Sequence, residues 1–215
     1  MPTCVGCSRS STFAGKKTLH ATERDKPAAQ EEREKFCRDI VLIPPEKLHF
    51  IDETGVNVAM ARRYARAFGG ERAHGAVPKN WGDNMTIVGS LNLDGDIHAM
   101  SLPGSIDGES FTVYIQRVLC PKLKPGDVVV MDNLGVHKVK AVRLAIEKRG
   151  AELRYLPPYS PEFNPIEKCW SKIKEALRAA AARSREALDR AVTDALNAVT
   201  PTDAQGWFIS CGYSL

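Results

Sequence analysis

The chain has no apolar run approaching the roughly 20 residues that a membrane-spanning helix needs, so no membrane association is expected. It shows no signal-peptide pattern, and its six cysteines (Cys4, Cys7, Cys37, Cys120, Cys169 and Cys211) are scattered. A disulfide framework is therefore not expected, and a cytoplasmic protein is. Cys4 and Cys7 make half of a zinc pattern, but no second pair and no His-x-x-x-His lies nearby, which leaves two reduced thiols. Neither charge dominates. Thirty Lys and Arg stand against 26 Asp and Glu, a net of +4 that permits a nucleic-acid partner without requiring one. No internal repeat is visible. What remains is a chain of 215 residues, 43% hydrophobic, able to bury one sizeable core.

The informative stretch is residues 126–170. Val128-Val129-Val130-Met131 is a continuous apolar run ending in Asp132-Asn133, as in a strand covered on both faces of an α/β sheet. Further on, Pro157-Pro158-Tyr159-Ser160-Pro161 stiffens a loop that runs into a helix. Asn164 is a good N-cap for it, Pro165 suits the first helical position, and Glu167 falls in the first turn.

Taken in order, residues 1–15 lack periodicity and are expected to form a disordered leader. Residues 16–45 read as a charged linker or surface helix, with helix over 27–38. Residues 46–215 form the expected folded domain. Leu48-His49-Phe50-Ile51 is a strand ending in Asp52-Glu53-Thr54-Gly55. Residues 56–85 interleave Arg62, Arg63, Arg66, Arg72 and Lys79 with Tyr64, Phe68 and Trp81, which suits either a nucleic-acid surface or an ordinary solvated loop. Residues 86–93 and 97–102 flank Asp94-Gly95-Asp96 as a hairpin. Helices follow over 106–123, 138–149, 166–182 and 184–199, with a strand at 153–156 and a packed tail at 207–213. The order predicts a mixed five-stranded sheet with helices on both faces, in which the strands ending at Asp52 and Asp132 are parallel neighbours.

Three carboxylates brought together repel one another unless a cation neutralises them, and Mg²⁺ takes such hard oxygen donors. Each acid also has a structural reading. Asp52 can simply end a strand, Asp132 can make an Asx-turn, and Glu167 stands three residues after Asn164 as in a capping box. A phosphoacceptor receiver domain shares the apolar strand ending in Asp, but the hairpin between the acids does not fit its regular βα alternation.

Phe50-Ile51-Asp52-Glu53-Thr54-Gly55, the block Val130-Met131-Asp132-Asn133-Leu134-Gly135-Val136-His137-Lys138 and the block from Leu156 through Pro157-Pro158-Tyr159-Ser160-Pro161 to Glu167 resemble the three signature blocks of DDE transposases. The match is closest to the Tc/mariner superfamily in its bacterial insertion-sequence branch, and 34 residues separate Asp132 from Glu167, as that resemblance requires. It implies a ribonuclease-H-like α/β fold in which Asp52, Asp132 and Glu167 are catalytic and hold two Mg²⁺ or Mn²⁺ ions. Glu53, Asn133 and His137 would stand behind them, Glu53 being a weaker rival of Asp52 as ligand. Arg62, Arg63, Arg66, Lys168 and Lys172 are the candidate DNA contacts. The implied partners are transposon-end and target DNA, a second copy of the chain on that DNA, and a separate helix-turn-helix polypeptide, because only a short leader precedes the match. A nucleoid-associated bacterial protein is implied. The rival is a remnant that only binds DNA or dimerises.

Overall fold

The apolar run before Asp132 is paired on both sides. In the computed structural model, which describes residues 21–215 other than 81 and 83, β1 (Leu48–Val56) and β5 (Glu152–Tyr155) flank β4 (Val128–Met131), parallel to it. The other edge of β1 carries the antiparallel hairpin of β2 (Met85–Leu91) and β3 (Ile97–Pro103). The sheet order is β3-β2-β1-β4-β5, a mixed five-stranded sheet of the ribonuclease-H-like kind. The expected leader, with Cys4 and Cys7, and Trp81 lie outside the described residues.

Because successive strand side chains point to opposite faces, each strand divides its apolar residues between two cores. Leu48, Phe50, Val128 and Val130 pack under α4 (Pro165–Ala180), α5 (Arg185–Asn197) and α6 (Pro201–Ser210), joined by Ile40 at the end of α1 (Pro27–Ile40). Ile51, Val129 and Met131 pack under α2 (Gly108–Tyr114), a π-helical turn at Ile115–Leu119, and α3 (Lys140–Glu147). No helix among the described residues is long and apolar enough to cross a membrane.

Three expectations need correction. The helix over 106–123 is two pieces: Asp107 caps α2 by accepting from the Ser110 N–H at 2.8 Å, and the last turn widens to π geometry with Cys120 N–H bonded to Ile115 C=O. The helix expected over 138–149 splits as well, into a 3-10 turn at Gly135–Lys138 and then α3. The tail at 207–213 is largely helix. Thr200 and Asp203 form a reciprocal capping box around Pro201, and that signal starts α6. Phe208 and Tyr213 then lock the C-terminus onto Phe50, with ring centroids 5.3 and 5.1 Å away.

Candidate active site

Two of the acids meet because of register, although β1 does not end at Asp52 as expected but runs on to Val56, paired with β2, while Asp132 directly follows β4. Phe50 pairs with Val130 across the parallel strands, and two residues further, on the same faces, come Asp52 and Asp132. The third acid arrives with α4. Pro165 opens that helix, and Glu167 is exposed in its first turn, over the face that carries Phe50 and Asp52. All three acids line one cleft of about 390 Å³, with Asn133, Asn164 and residues 157–161 of the proline loop.

What lets α4 come so near is a glycine. Gly89 of β2 sits directly opposite Asp52, and a Cβ there would lie 2.8 Å from Cη2 of Trp170. Trp170 is one turn after Glu167, so the close contact of its ring edge with the bare backbone of Gly89 sets the height of Glu167 above the sheet. A glycine inside a strand marks such a close approach, and this signal went unused in the sequence.

The capping-box reading of Glu167 is corrected by the structure. Asn164 has the extended N-cap backbone but makes no side-chain cap bond, and its Oδ1 is buried without a hydrogen-bond partner. Glu167 is left turned to the cleft. Asp132 keeps its structural role as well: its Oδ1 accepts from the Leu134 N–H at 3.2 Å, the expected Asx-turn.

Glu53 parts company with Asp52. One residue along the strand, it faces the other core, where its Oε1 is 2.7 Å from Nε2 of His137. The other ring nitrogen of His137, Nδ1, is paired with Oδ1 of Asp132. His137 is fully buried, with its ring 4.4 Å from that of Phe111. Burial opposes charge on this ring, but the hydrogen bonds to Asp132 and Glu53 and their negative charges outweigh it and push the pKa up to about 10.

Asp52 shows the opposite imbalance. Burial first, and then the neighbouring Glu167 carboxylate, push its acid up to about 8. A carboxyl group so disfavoured as an anion is one that a bound cation would relieve. The donor set, all carboxylate oxygens, is that of a hard divalent ion. Among the described residues no three His, Cys, Asp or Glu side chains already enclose a common point as a finished ion cage.

The basic candidates separate. Arg62 and Arg63 lie on the exposed connection between β1 and β2 and line a hollow with Tyr64, Ser171, Glu175 and Arg178 on the flank of α4. Arg183 ties down the start of that connection, donating to the carbonyls of Val58 and Met60 at 2.8 and 3.0 Å. Arg66 is exposed further along it, and Lys168 is exposed beside Glu167. Lys172 is engaged within the protein. Its Nζ reaches the α6 cap, 2.5 Å from Asp203 Oδ2 and 3.3 Å from Ala198 C=O, so it ties two helices together.

Arg33 was missed altogether. From α1 it donates to Ser160 Oγ and, at 2.5 Å, to Glu162 Oε1, and its guanidinium lies 4.7 Å over the Phe163 ring. Phe36 of the same helix stacks on Phe163 at 5.7 Å. The charged helix therefore clamps the loop that delivers Glu167, a contact across 127 residues that no local pattern reveals.

A ribonuclease-H-like sheet with three acids lining one cleft, from the middle of β1, the end of β4 and the start of α4, defines a class of nucleic-acid phosphoryl-transfer enzymes. A family model described as DDE superfamily endonuclease matches residues 47–189, about two thirds of the chain, and the protein belongs to that family. Solved structures share the fold at low identity. The Mos1 transposase paired-end complex with left transposon end aligns with a TM-score of 0.71 and 16% identity, over 94% of this chain and 63% of that one. The Mos1 mariner paired-end complex with Mn gives 0.68 at 16%, over 92% and 62%. The Mos1 transposase catalytic domain with raltegravir and Mg gives 0.58 at 15%, over 88% and 98%. The chain thus spans about three fifths of the paired-end chains and nearly all of the catalytic-domain chain. No curated protein matches the sequence.

Proposed function

We propose that this chain is the catalytic part of a DDE transposase of the Tc/mariner superfamily, in its bacterial insertion-sequence branch, cutting DNA at the element's ends and joining them to target DNA. The observation that carries the reading is the convergence of Asp52, Asp132 and Glu167 on one cleft within a DDE endonuclease domain. In this reading Asp52, Asp132 and Glu167 hold two Mg²⁺ or Mn²⁺ ions. Such ions, when bound, lower the pKa of an attacking water or hydroxyl and stabilise the leaving oxygen.

The chain's own residues do the rest by positioning. The parallel register sets Asp52 beside Asp132, Gly89 and Trp170 set the approach of Glu167, and the Arg33 clamp stiffens the loop before it. In this reading water and then the freed 3′-hydroxyl are the attacking groups, and catalysis lies in positioning and charge stabilisation. Arg62, Arg63, Arg66 and Lys168 carry the phosphate backbone in this reading. The protein works on DNA as a homodimer in the bacterial cytoplasm, associated with the nucleoid.

The test is nicking and strand transfer on a plasmid bearing the element's ends, with Mg²⁺ present. Wild type is expected to cut, and Asp132→Asn to fold normally and be inert. Undiminished cutting by Asp132→Asn overturns the assignment.

A further inference from the structure

Asp132 is not held by its own strand. Pairing of β4 ends before it, and the segment after it is irregular until the 3-10 turn at Gly135–Lys138, so its rotamer depends on what it touches. We propose that His137 is the positioning residue that presents Asp132 to the metal, with Glu53 as the fixed post on the far side of the imidazole and not a ligand; this rests on the metal-site reading above.

Four observations carry it. Both ring nitrogens are spent on carboxylates, Nδ1 on Asp132 Oδ1 and Nε2 on Glu53 Oε1 at 2.7 Å. The ring is confined: it is fully buried, lies 4.4 Å from the Phe111 ring, and its backbone C=O accepts from the Tyr155 hydroxyl at 3.1 Å. On Asp132, the Leu134 N–H and the His137 ring share the same oxygen, Oδ1, which reserves Oδ2 for a ligand. Glu53 itself is absent from the cleft lining and stands on the sheet face opposite Asp52.

The sequence Glu53, His137, Asp132 is thus a carboxylate–imidazole–carboxylate chain running through the sheet edge from one core to the other. It inverts the usual metal-site arrangement, in which a ligating histidine is steadied by an outer carboxylate. Here the ligand is the carboxylate and the steadying group is the histidine. The sequence order of Asp52 and Glu53 then has a purpose: one acid serves the cleft and the next serves its support.

The experiment measures the Mn²⁺ dissociation constant of the full chain by calorimetry, without DNA, together with melting in EDTA. His137→Ala is expected to weaken Mn²⁺ binding about 10–100-fold, the range for loss of such outer partners. Glu53→Ala is expected to weaken it by no more than that, and the double variant to be no worse than His137→Ala alone, because both break one chain. Glu53→Gln retains an oxygen that accepts from Nε2 and is expected to bind Mn²⁺ within a few fold of wild type. Where the alanine variant fails to melt cooperatively, His137→Gln, which keeps a donor and most of the volume, takes its place and is expected to lose Mn²⁺ affinity too. Unchanged Mn²⁺ affinity in a folded His137 variant overturns the proposal, as does a Glu53→Gln loss equal to that of Asp52→Asn, which would make Glu53 a ligand. Unchanged affinity in Asp132→Asn would instead overturn the metal reading itself.

Discussion

Asp52 and Glu53 are adjacent in the chain and serve opposite faces of the sheet. Asp52 shares the face of Phe50 and looks across to Glu167, and Glu53 shares the face of Ile51 and bonds His137. The period of two along a strand therefore decides between two acids that composition and spacing leave as rivals.

Asp52→Asn is expected to make the metal-free protein more stable and the enzyme inert. The wild-type carboxylate is half-buried and repelled by Glu167, and the neutral amide escapes both penalties. For a chain of this size each kcal/mol moves the melting temperature by about 2–4 °C. Melting in EDTA should rise by that order, and the stabilisation by Mg²⁺ expected of wild type should be absent from the variant. A melting temperature that falls in EDTA would argue against a strained acid at this position.

Much of this arrangement was legible beforehand. Four unbroken apolar residues marked β4, the Asp94-Gly95-Asp96 turn marked the hairpin, and the proline loop marked the entry to α4. These are local signals, written within a few residues of where they act. The bond of His137 to Glu53, the clamp of Arg33 on Ser160 and the ion pair of Lys172 with Asp203 depend on rotamers and on contacts 31 to 127 residues apart. No periodicity encodes such pairs. α6 is a different kind of miss, because Thr200, Pro201 and Asp203 announced it and the small, weakly amphipathic helix hid behind its aromatic end.

Arg33→Ala should loosen the catalytic loop without unfolding the sheet. Glu162 is about a third exposed, so the ion pair is partly screened and its loss is worth about 1 kcal/mol. The larger consequence is local. Amide exchange in residues 158–167 is expected to speed up, with β1 and β4 unchanged. Arg33→Lys should resemble the alanine variant, since a single ammonium cannot span Ser160 and Glu162 as the guanidinium fork does. Exchange that changes equally across the whole sheet would mean that α1 supports the core and not the loop.

Acid should destabilise the fold through His49, at the far end of β1 from the cleft. Burial lowers its pKa below 6.5 despite Asp127, whose Oδ2 is 3.3 Å from Nε2; Lys124 and Asp96 are the other charges that act on it. With a depressed folded pKa, the native state binds fewer protons than the unfolded chain below pH 6.5, so stability falls as pH drops from there. His49→Gln removes this proton uptake. The urea midpoint of that variant, compared with wild type at pH 7.5 and pH 5, should fall less steeply on acidification. Parallel falls in the two proteins would show that His49 is protonated alike in both states.

Gly89→Ala is the variant in which fold and site are expected to fail together. The added methyl meets Trp170 at 2.8 Å, and with Ala99 Cβ at 3.5 Å on the neighbouring strand there is little room to slide. Relief requires α4 to lift from the sheet, because the Trp170 ring is buried among Ile166, Ile173 and the β2 backbone and has no open side to turn into. Overpacking of this kind costs about 1–3 kcal/mol. Lifting α4 also carries Glu167 away from Asp52, so Mg²⁺-dependent stabilisation should weaken by more than a remote core lesion of equal cost produces. Leu188→Ala, on α5 in the same core but away from the cleft, provides that comparison. If the two variants lose stability equally and keep equal metal response, the height of α4 over Gly89 does not govern the site.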